Sequence, residues 1–220
     1  MPGRLIVLEG VDGSGKATQA QLLYEALCRS GTRAMKINFP HYESDSSALI
    51  KMYLQGVFGQ NVNDVNAYAA SAFYTVDRFA SYRTDWGAFY QEGGTIVADR
   101  YTTSNAVHQC AKLPRIEWNA YLNWLFDFEY QKIAIPEPDT VIYLDVSPDV
   151  AGRLMERRYQ GDESKKDLHE KDGEYLWRSR EAGQYCIRKF GWKRIECTQN
   201  GEMRPPEEIH ETILSLIAER

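Results

Sequence analysis

The stretch LIVLEGVDGSGKATQAQLL, residues 5–23, decides the fold. An apolar run leads into a glycine-rich turn and a lysine, and a sequence typical of a helix follows. Gly10, four more residues and then Gly15-Lys16 match the first part of the phosphate-binding pattern G-x-x-x-x-G-K-[ST]. Glycines let successive backbone N–H groups turn inward around a phosphate, and the N-terminus of the next helix adds a favourable potential. The stretch therefore predicts a nucleotide phosphate loop; a tight strand-to-helix turn with a solvated lysine is the alternative.

Ala17 departs from this pattern, because the motif has a serine or threonine there whose hydroxyl binds magnesium. Thr18 can compensate only in part, since one position along a helix rotates the side chain by about 100°. Magnesium often keeps several waters. It would then rely on waters, nucleotide phosphates and carboxylates, of which Asp12 is the nearest.

Short β-type runs alternate with longer helical stretches along the chain. Several runs are apolar at consecutive positions, as expected for parallel strands covered on both faces. The predicted strands are 4–10, 33–39, 94–100, 139–146 and 193–199, and the predicted helices are 15–30, 45–56, 64–91, 103–110, 115–132, 148–158, 173–190 and 205–219. This alternation predicts a single α/β domain over 1–220, with a doubly wound, five-stranded parallel sheet flanked by helices.

The composition of the 220 residues narrows the range of functions. A formal net charge of -5 argues against a general nucleic-acid-binding protein. The cysteines lack metal-binding spacing and indicate reduced thiols; they are Cys28, Cys110, Cys186 and Cys197. Neither a signal sequence nor an apolar run of membrane-spanning length is recognisable. We therefore expect a cytoplasmic protein without membrane or nucleic-acid partners.

The segment VADRYTTSNAVHQ, residues 97–109, ends a predicted strand in Asp99-Arg100. Ligands of open α/β sheets lie beyond the carboxyl ends of the strands. Asp99 could therefore hold a metal-bound water, and the planar fork of Arg100 could clamp a second phosphate. An ordinary surface salt bridge is the alternative.

Two other residues have both a structural and a functional interpretation. Phe39 either offers its ring to a base or fills the core, and composition alone favours the core. Arg78 interrupts the apolar face of a predicted helix and could anchor a ligand phosphate. Its structural role would be an ion pair with Asp77, Asp85 or Glu92.

The segment RRYQGDESKKDLHEKDGE, residues 157–174, is charged and nearly devoid of large aliphatic side chains. It is either a surface loop or a mobile lid; Arg157 and Arg158 lie at its start, and Arg153 lies four positions before it. The phosphate loop contains no arginine, and the charge that develops during phosphoryl transfer needs a cation besides Lys16 and magnesium. A closing lid arginine would supply this cation and exclude water.

Taken together, these residues resemble the thymidylate (dTMP) kinase family of P-loop NTPases. The resemblance rests on the segments EGVDGSGK, FP, TVDR, ADRYTTSNAVHQ, PDTVIYLDVSPDVAGRLMERR and DLHEKDGEYLWRSREAGQY, in the family's order and spacing. It implies transfer of the γ-phosphoryl group of ATP to dTMP, giving dTDP and ADP for dTTP synthesis. It also implies magnesium as cofactor and a homodimer.

On the ATP side, the resemblance implies that Arg153 and Arg157 close over the nucleotide, with Arg157 catalytic beside Lys16. It assigns the phosphate loop to Gly10, Val11, Asp12, Gly13, Ser14, Gly15, Lys16, Ala17 and Thr18. For magnesium it implies Asp12 and Glu170, with Asp99 acting through water.

On the acceptor side, the resemblance implies that Phe39 stacks on thymine, which reverses the interpretation from composition. Asp12 would face the sugar 3′-hydroxyl, and Arg100 would hold the acceptor phosphate in line as a catalytic residue. Of the further substrate-binding residues, Tyr42 would lie near the acceptor phosphate, Arg78 and Asn105 would read the base, and His108 would lie near the sugar. His108 replaces the family's usual tyrosine near the sugar 2′ position, which leaves discrimination against ribonucleotides open.

Two other functions remain compatible with the sequence. A deoxynucleoside kinase shares the phosphate loop, the Asp-Arg pair and a basic lid, but needs a carboxylate base near a 5′-hydroxyl. A non-catalytic nucleotide-binding protein would be consistent with Ala17. The sequence also leaves acceptance of dUMP open.

Overall fold

The computed structural model describes residues 2–159, 162, 169 and 172–218, with positions 148, 155 and 157–159 described by their backbone alone. In this part of the chain the main sheet has five strands: β1 (Arg4–Glu9), β2 (Ala34–Asn38), β3 (Thr95–Asp99), β4 (Thr140–Asp145) and β5 (Lys193–Glu196). They are all parallel, in the order β2-β3-β1-β4-β5. The predicted five-stranded parallel sheet is thereby confirmed.

The fifth strand is shorter than the prediction of 193–199. It ends at Glu196, and the chain then folds back as a two-stranded antiparallel sheet of β6 (Thr198–Gln199) and β7 (Glu202–Met203). Asn200 and Gly201 form the turn, both with positive φ, and supply the reversal that ended the strand early.

The helices follow the predicted pattern closely. The predicted helix 64–91 is divided by a π-helical turn at Tyr82–Trp86, and the predicted helix 115–132 ends in another at Asp127–Lys132. The helices are α1 (Lys16–Arg29), α2 (Ala48–Leu54), α3 (Ala67–Ser81), α4 (Gly87–Gln91), α5 (Thr102–His108), α6 (Trp118–Phe126), α7 (Pro148–Tyr159), α8 (Gly173–Phe190) and α9 (Pro206–Ala218), with 3₁₀ turns at Asp45–Ser47, Cys110–Lys112 and Arg115–Glu117.

The sheet is covered by apolar side chains on both faces, as the consecutive apolar positions predict. Alternate residues of β1 point to opposite sides, so that Leu5 and Val7 belong to one core and Ile6 and Leu8 to the other. The first core includes side chains of α5, α6 and α8, and the second includes those of α1, α7 and α9. Burial on both faces explains why these strands read as continuous apolar runs.

The sheet brings two predicted site segments side by side. β1 lies between β3 and β4, and Leu8 pairs with Asp99 across the β1–β3 ladder. The residues that follow, Glu9 and Arg100, therefore leave the sheet at the same level of its carboxyl edge. This edge is where open α/β sheets bind ligands.

The predicted lid, 157–174, lies mostly outside the described residues, as does Glu170. None of the helices described here has the combination of length and apolar character that crossing a membrane requires. The cysteines Cys110, Cys186 and Cys197 are buried and Cys28 is exposed, all as free thiols, as predicted.

Candidate active site

The loop between β1 and α1 has the backbone of a phosphate cradle. A Cβ on Gly10 would lie 2.6 Å from the Ser14 hydroxyl oxygen and 2.7 Å from the carbonyl oxygen of Leu144, so only glycine fits there. Gly13 and Gly15 have φ values of 78° and 86°, which favour glycine. Gly15 also precedes α1 and offers no capping side chain. The first N–H groups of α1 are thus left for an anion.

Lys16 lies in this cradle with its side chain nearly buried. Its Nζ donates to the carbonyl oxygen of Val11 at 2.8 Å and to the Ser14 hydroxyl at 3.4 Å. Burial, with the nearby positive charge of Arg100, lowers the pKa of Lys16 to about 8, and Asp12 partly offsets this shift. Lys16 is therefore mostly protonated at neutral pH. The contacts with Val11 and Ser14 fold its side chain over the loop that a phosphate would occupy.

Asp12 and Arg100 join the phosphate loop to the end of β3. Arg100 Nη2 donates to Asp12 Oδ1 in a short ion pair. Burial alone would raise the pKa of Asp12, but the charges of Arg100 and Lys16 outweigh it and hold this pKa well below its usual range. Arg100 has a φ of 67°, which costs a non-glycine residue roughly 1–3 kcal/mol and is typical of functional positions.

Glu9 is a residue of this junction that the sequence analysis missed. Its fully buried carboxylate accepts from the Gly10 N–H at 2.9 Å and from the hydroxyls of Thr103 and Ser104 at 2.8 Å each. Arg100 Nη1 also lies 3.5 Å from Glu9 Oε1. Glu9 thus ties the phosphate loop to the start of α5 and to Arg100. The sequence does carry a signal for Glu9, namely a carboxylate that follows four consecutive apolar residues at the end of β1.

A large cleft, of about 1020 Å³, opens beside the phosphate loop. On its far side it is bounded by β7 and the start of α9, a boundary that the sequence analysis did not assign. The lining residues include Asp12, Gly13, Gly15, Lys16, Ala17, Thr18, Phe39, Asp99, Arg100, Leu154, Met203 and Arg204.

A smaller pocket, of about 90 Å³, lies on the other side of the Asp12–Arg100 pair. Four residues line both the pocket and the cleft, namely Asp12, Pro40, Tyr42 and Arg100. The pocket is further lined by Leu54, Tyr74, Ser104, Asn105, His108, Gln109 and His169. The structure therefore brings the predicted residues of the two substrate sides together at Arg100.

The amide groups of α5 and the residue after it face the pocket. Asn105 is buried, and its Nδ2 donates to the carbonyl oxygen of Ser71 at 3.4 Å. Gln109, one helical turn later, is also buried, and its Oε1 has no hydrogen-bond partner within the described residues. A buried amide oxygen without a partner is costly unless a ligand or water satisfies it. The sequence analysis missed Gln109, although its i, i+4 spacing from Asn105 placed both on one face.

His108 contacts Arg100 through its ring. Its Nε2 lies 3.1 Å from Arg100 Nη1. Because a guanidinium only donates, this nitrogen accepts and His108 is neutral with its proton on Nδ1. Burial first, and then the charge of Arg100, lower the pKa of His108 well below its usual value.

Arg78 is buried away from both cavities, in an ion pair with Glu129. Its Nε donates to Glu129 Oε2 at 2.8 Å, and its Nη2 donates to Oε1 in a short contact. The two side chains are 1% and 0% exposed. The predicted structural partners Asp77, Asp85 and Glu92 are therefore wrong. Arg78 lines neither of the two cavities, but its Nη1 lies 3.5 Å from the carbonyl oxygen of Tyr101, beside the pocket helix.

A family model described as thymidylate kinase matches residues 8–201, most of the chain. The chain belongs to the thymidylate kinase family. The thymidylate kinase of Mycobacterium tuberculosis (strain H37Rv) is 30% identical over 177 residues, which cover 80% of this chain and 81% of that protein. Human thymidylate kinase is 33% identical over 144 residues, or 66% of this chain and 61% of that protein. The solved thymidylate kinase of Candida albicans has a TM-score of 0.73 at 19% identity, covering 99% of this chain and 92% of that one, which shows a shared fold.

In this thymidylate kinase-family chain, Phe39 and Tyr42 flank the junction between cleft and pocket. Phe39 is largely buried and packs against Tyr101, with ring centroids 5.9 Å apart. It nevertheless lines the cleft, and its stacking on thymine stays a prediction. Tyr42 is exposed and lines both cavities.

The carboxylates of the cleft fit a hard cation. Asp12 and Asp99 both line it beside Lys16 and Thr18, whereas Ala17 offers no hydroxyl. Among the residues described, no group of three or more His, Cys, Asp or Glu side chains forms a metal cage. Magnesium is commonly held by one or two carboxylates together with substrate phosphates and water. The donor set suits magnesium shared between the protein and a nucleotide.

The predicted lid arginines are described only in part. Arg153, on α7, donates from Nη2 to the carbonyl oxygen of Gly201 at 2.6 Å and so reaches the turn between β6 and β7. This turn leads to Met203 and Arg204, which line the cleft. The side chain of Arg157 lies outside the described part of the chain.

Proposed function

We propose that this chain transfers the γ-phosphoryl group of ATP to dTMP, giving ADP and dTDP, by direct in-line transfer beside Arg100. As a member of the thymidylate kinase family the chain is an ATP-dependent phosphotransferase that phosphorylates dTMP. The observation that carries the in-line geometry is the shared wall of the two cavities, since Asp12 and Arg100 line both. Phosphates held by the loop and an acceptor phosphate held by Arg100 would meet at this wall.

The chemistry needs positioning and charge neutralisation more than proton removal, because a phosphate monoester is already ionised at neutral pH. Lys16 supplies a positive charge from the donor side, and Arg100 supplies one from the acceptor side. Asp12 orients Arg100 through their ion pair. Magnesium, when bound by Asp12 and through water by Asp99, would neutralise charge on the nucleotide phosphates. From the family resemblance alone, we propose that Arg157 acts as a lid cation and Glu170 as a metal-side acid.

The acceptor would extend from the cleft into the smaller pocket. Phe39 would stack on thymine at the junction, and Tyr42 would lie near the acceptor phosphate. Asn105 would read the base edge together with Gln109, whose buried Oε1 lacks a protein partner within the described residues. Arg78 would act from behind the pocket, since Glu129 holds its guanidinium.

A homodimer is part of the proposal. Helix α3 leaves Val76 54% exposed and Phe79 43% exposed, and Tyr68 on the same helix is 40% exposed. An exposed apolar face of this kind commonly marks an interface, and a self-complementary face is how two-fold dimers form.

Sedimentation should show a dimer for the wild type and a monomer for Phe79→Lys; an unchanged mass in Phe79→Lys would remove this helix from the interface.

A magnesium-dependent ADP-release assay with a panel of acceptors tests the function. We expect turnover with dTMP and none with thymidine, using dUMP, UMP and CMP to map strictness. Turnover with thymidine alone would indicate a deoxynucleoside kinase, and ATP binding without turnover would indicate a non-catalytic nucleotide-binding protein.

Arg100→Ala should lose activity with dTMP severely while the fold persists; an unchanged rate would exclude Arg100 from the acceptor site.

A further inference from the structure

Outside the residues assigned above, a buried polar cluster lies against the acceptor pocket. It consists of Lys112, Tyr53 and His169 and is called the Tyr53 cluster below. Lys112 Nζ donates to the Tyr53 hydroxyl at 2.6 Å and to the carbonyl oxygen of Val65 at 3.0 Å. The Tyr53 hydroxyl in turn lies 2.7 Å from His169 Nε2. Tyr53 is 1% exposed and His169 is 6% exposed.

Two hydrogen bonds hold the Tyr53 hydroxyl. Its oxygen accepts from the Lys112 amine. The hydroxyl also pairs with His169 Nε2, and the imidazole tautomer decides which of these two atoms donates. Because Lys112 is anchored on the Val65 carbonyl, the hydroxyl has a defined orientation and so does the imidazole ring it holds.

His169 transmits this orientation to the acceptor pocket. Its ring lines the pocket and stacks on the ring of His108, with centroids 6.3 Å apart and planes at 13°. His108 in turn contacts Arg100 at 3.1 Å. Tyr175 supports both imidazoles, since its ring lies beside each and its hydroxyl donates to the His108 carbonyl oxygen at 2.9 Å.

We propose that Tyr53, oriented by Lys112, is a positioning residue for the acceptor nucleotide that acts by holding His169 as a wall of the acceptor pocket against His108. This inference rests on the proposed function, because it concerns the dTMP side of the same site. Tyr53 lies in α2 and Lys112 in the turn after α5, so the cluster joins two elements across the pocket. His169 lines the acceptor pocket, whereas Tyr53, Lys112 and His169 are not among the residues that line the cleft beside the phosphate loop, so we expect the effect on the acceptor side.

Tyr53→Phe tests the proposal, because it keeps the ring between Lys112 and His169 and removes only the hydroxyl. We expect KM for dTMP to rise about tenfold, the scale of a lost buried hydrogen bond. KM for ATP should stay within about twofold, because His169 lines the acceptor pocket and not the cleft beside the phosphate loop. A merely structural role of Tyr53 would not separate the two substrates in this way. Tyr185→Phe is the matched control. It removes a hydroxyl that donates to Asn119 on the outside of α8 and should change neither KM.

His169→Phe and the double variant Tyr53→Phe/His169→Phe decide whether Tyr53 acts through His169. If it does, the double variant should be no worse than His169→Phe alone. Additive losses, or an unchanged KM for dTMP in Tyr53→Phe, would overturn the proposal. If Tyr53→Phe proves unstable, Lys112→Met is the alternative variant. It removes the hydrogen bond that Lys112 donates to the Tyr53 hydroxyl and should also raise KM for dTMP. Failure of the proposed function is distinguishable, because wild-type protein would then show no dTMP-dependent ADP release.

Discussion

The phosphate loop makes Lys16 the residue on which transfer depends most directly. Its side chain is nearly buried and already donates to the Val11 carbonyl oxygen and the Ser14 hydroxyl of the loop, so a bound phosphate would replace these contacts by a charged one. We expect Lys16→Ala to lower kcat by about 10²–10³ or more, the scale of losing one preorganised charge or donor. Lys36→Ala, which removes an exposed lysine bound only through Gln21 among its described contacts, is the control. Thermal unfolding should be similar in both variants, and wild-type turnover in Lys16→Ala would reject the role.

Ala17 gives a second prediction at this scale, because it removes a magnesium ligand that the motif normally has. Ala17 is exposed on the cleft, so Ala17→Ser adds a hydroxyl without disturbing the core. We expect the magnesium concentration for half-maximal activity to fall several-fold. Ala17→Val, which places methyl groups at the γ position without a hydroxyl, should not reproduce this fall. The same magnesium dependence in Ala17→Ser and the wild type would show that position 17 lies outside the metal shell.

Local pattern predicted the residues of the loop well, because each depends only on its neighbours in the chain. The strand, the glycines with positive φ and the helix start all follow from composition over some fifteen residues. The partner of Arg78 could not be predicted in the same way. Glu129 lies 51 positions away and belongs to a π-helical turn that the periodicity does not reveal. The Tyr53–His169 contact, across 116 positions, is equally a product of tertiary packing.

At the scale of elements, the Arg78–Glu129 pair joins α3 to the π-helical turn after α6. Glu129 is fully buried and also accepts from the hydroxyls of Thr75 and Thr102 at 2.9 and 2.6 Å. Glu129→Leu leaves the Arg78 charge buried without this carboxylate. Breaking a buried pair in this way costs about 3–5 kcal/mol of unfolding free energy.

Chemical denaturation checks this prediction, and the same turn supplies its control. Asp127 forms an exposed ion pair with Lys132 at 3.5 Å, with both side chains more than half exposed. Asp127→Ala should hardly change the unfolding free energy, because solvent screens such pairs. Equal effects of Glu129→Leu and Asp127→Ala would contradict the view that the buried pair fixes α3 against the turn.

The whole molecule combines these elements into a site whose imidazoles are buried and neutral, and this makes its stability depend on pH. Burial, followed by the charge of Arg100, holds the pKa of His108 well below the ordinary value, and Asp12 offsets only part of this shift. Burial, with the charge of Lys112, likewise lowers the pKa of His169 to about 3. Both histidines gain protons more readily in the unfolded chain, where the pKa is near 6.5.

Stability should therefore fall as the pH drops below about 6.5, since in that range the unfolded chain binds protons that the folded chain excludes. Each histidine contributes at most about 1.4 kcal/mol per pH unit. We expect His108→Gln, which keeps an acceptor for Arg100 but does not titrate, to lose unfolding free energy between pH 7 and 5 less steeply than the wild type. Denaturant titrations at one fixed protein concentration measure both slopes, because dimer formation would otherwise shift the apparent stability. Parallel slopes would mean that His108 takes up a proton in the folded protein as readily as in the unfolded chain. They would contradict an acceptor contact with Arg100 that persists towards pH 5, because an imidazolium has no lone pair to accept from a guanidinium.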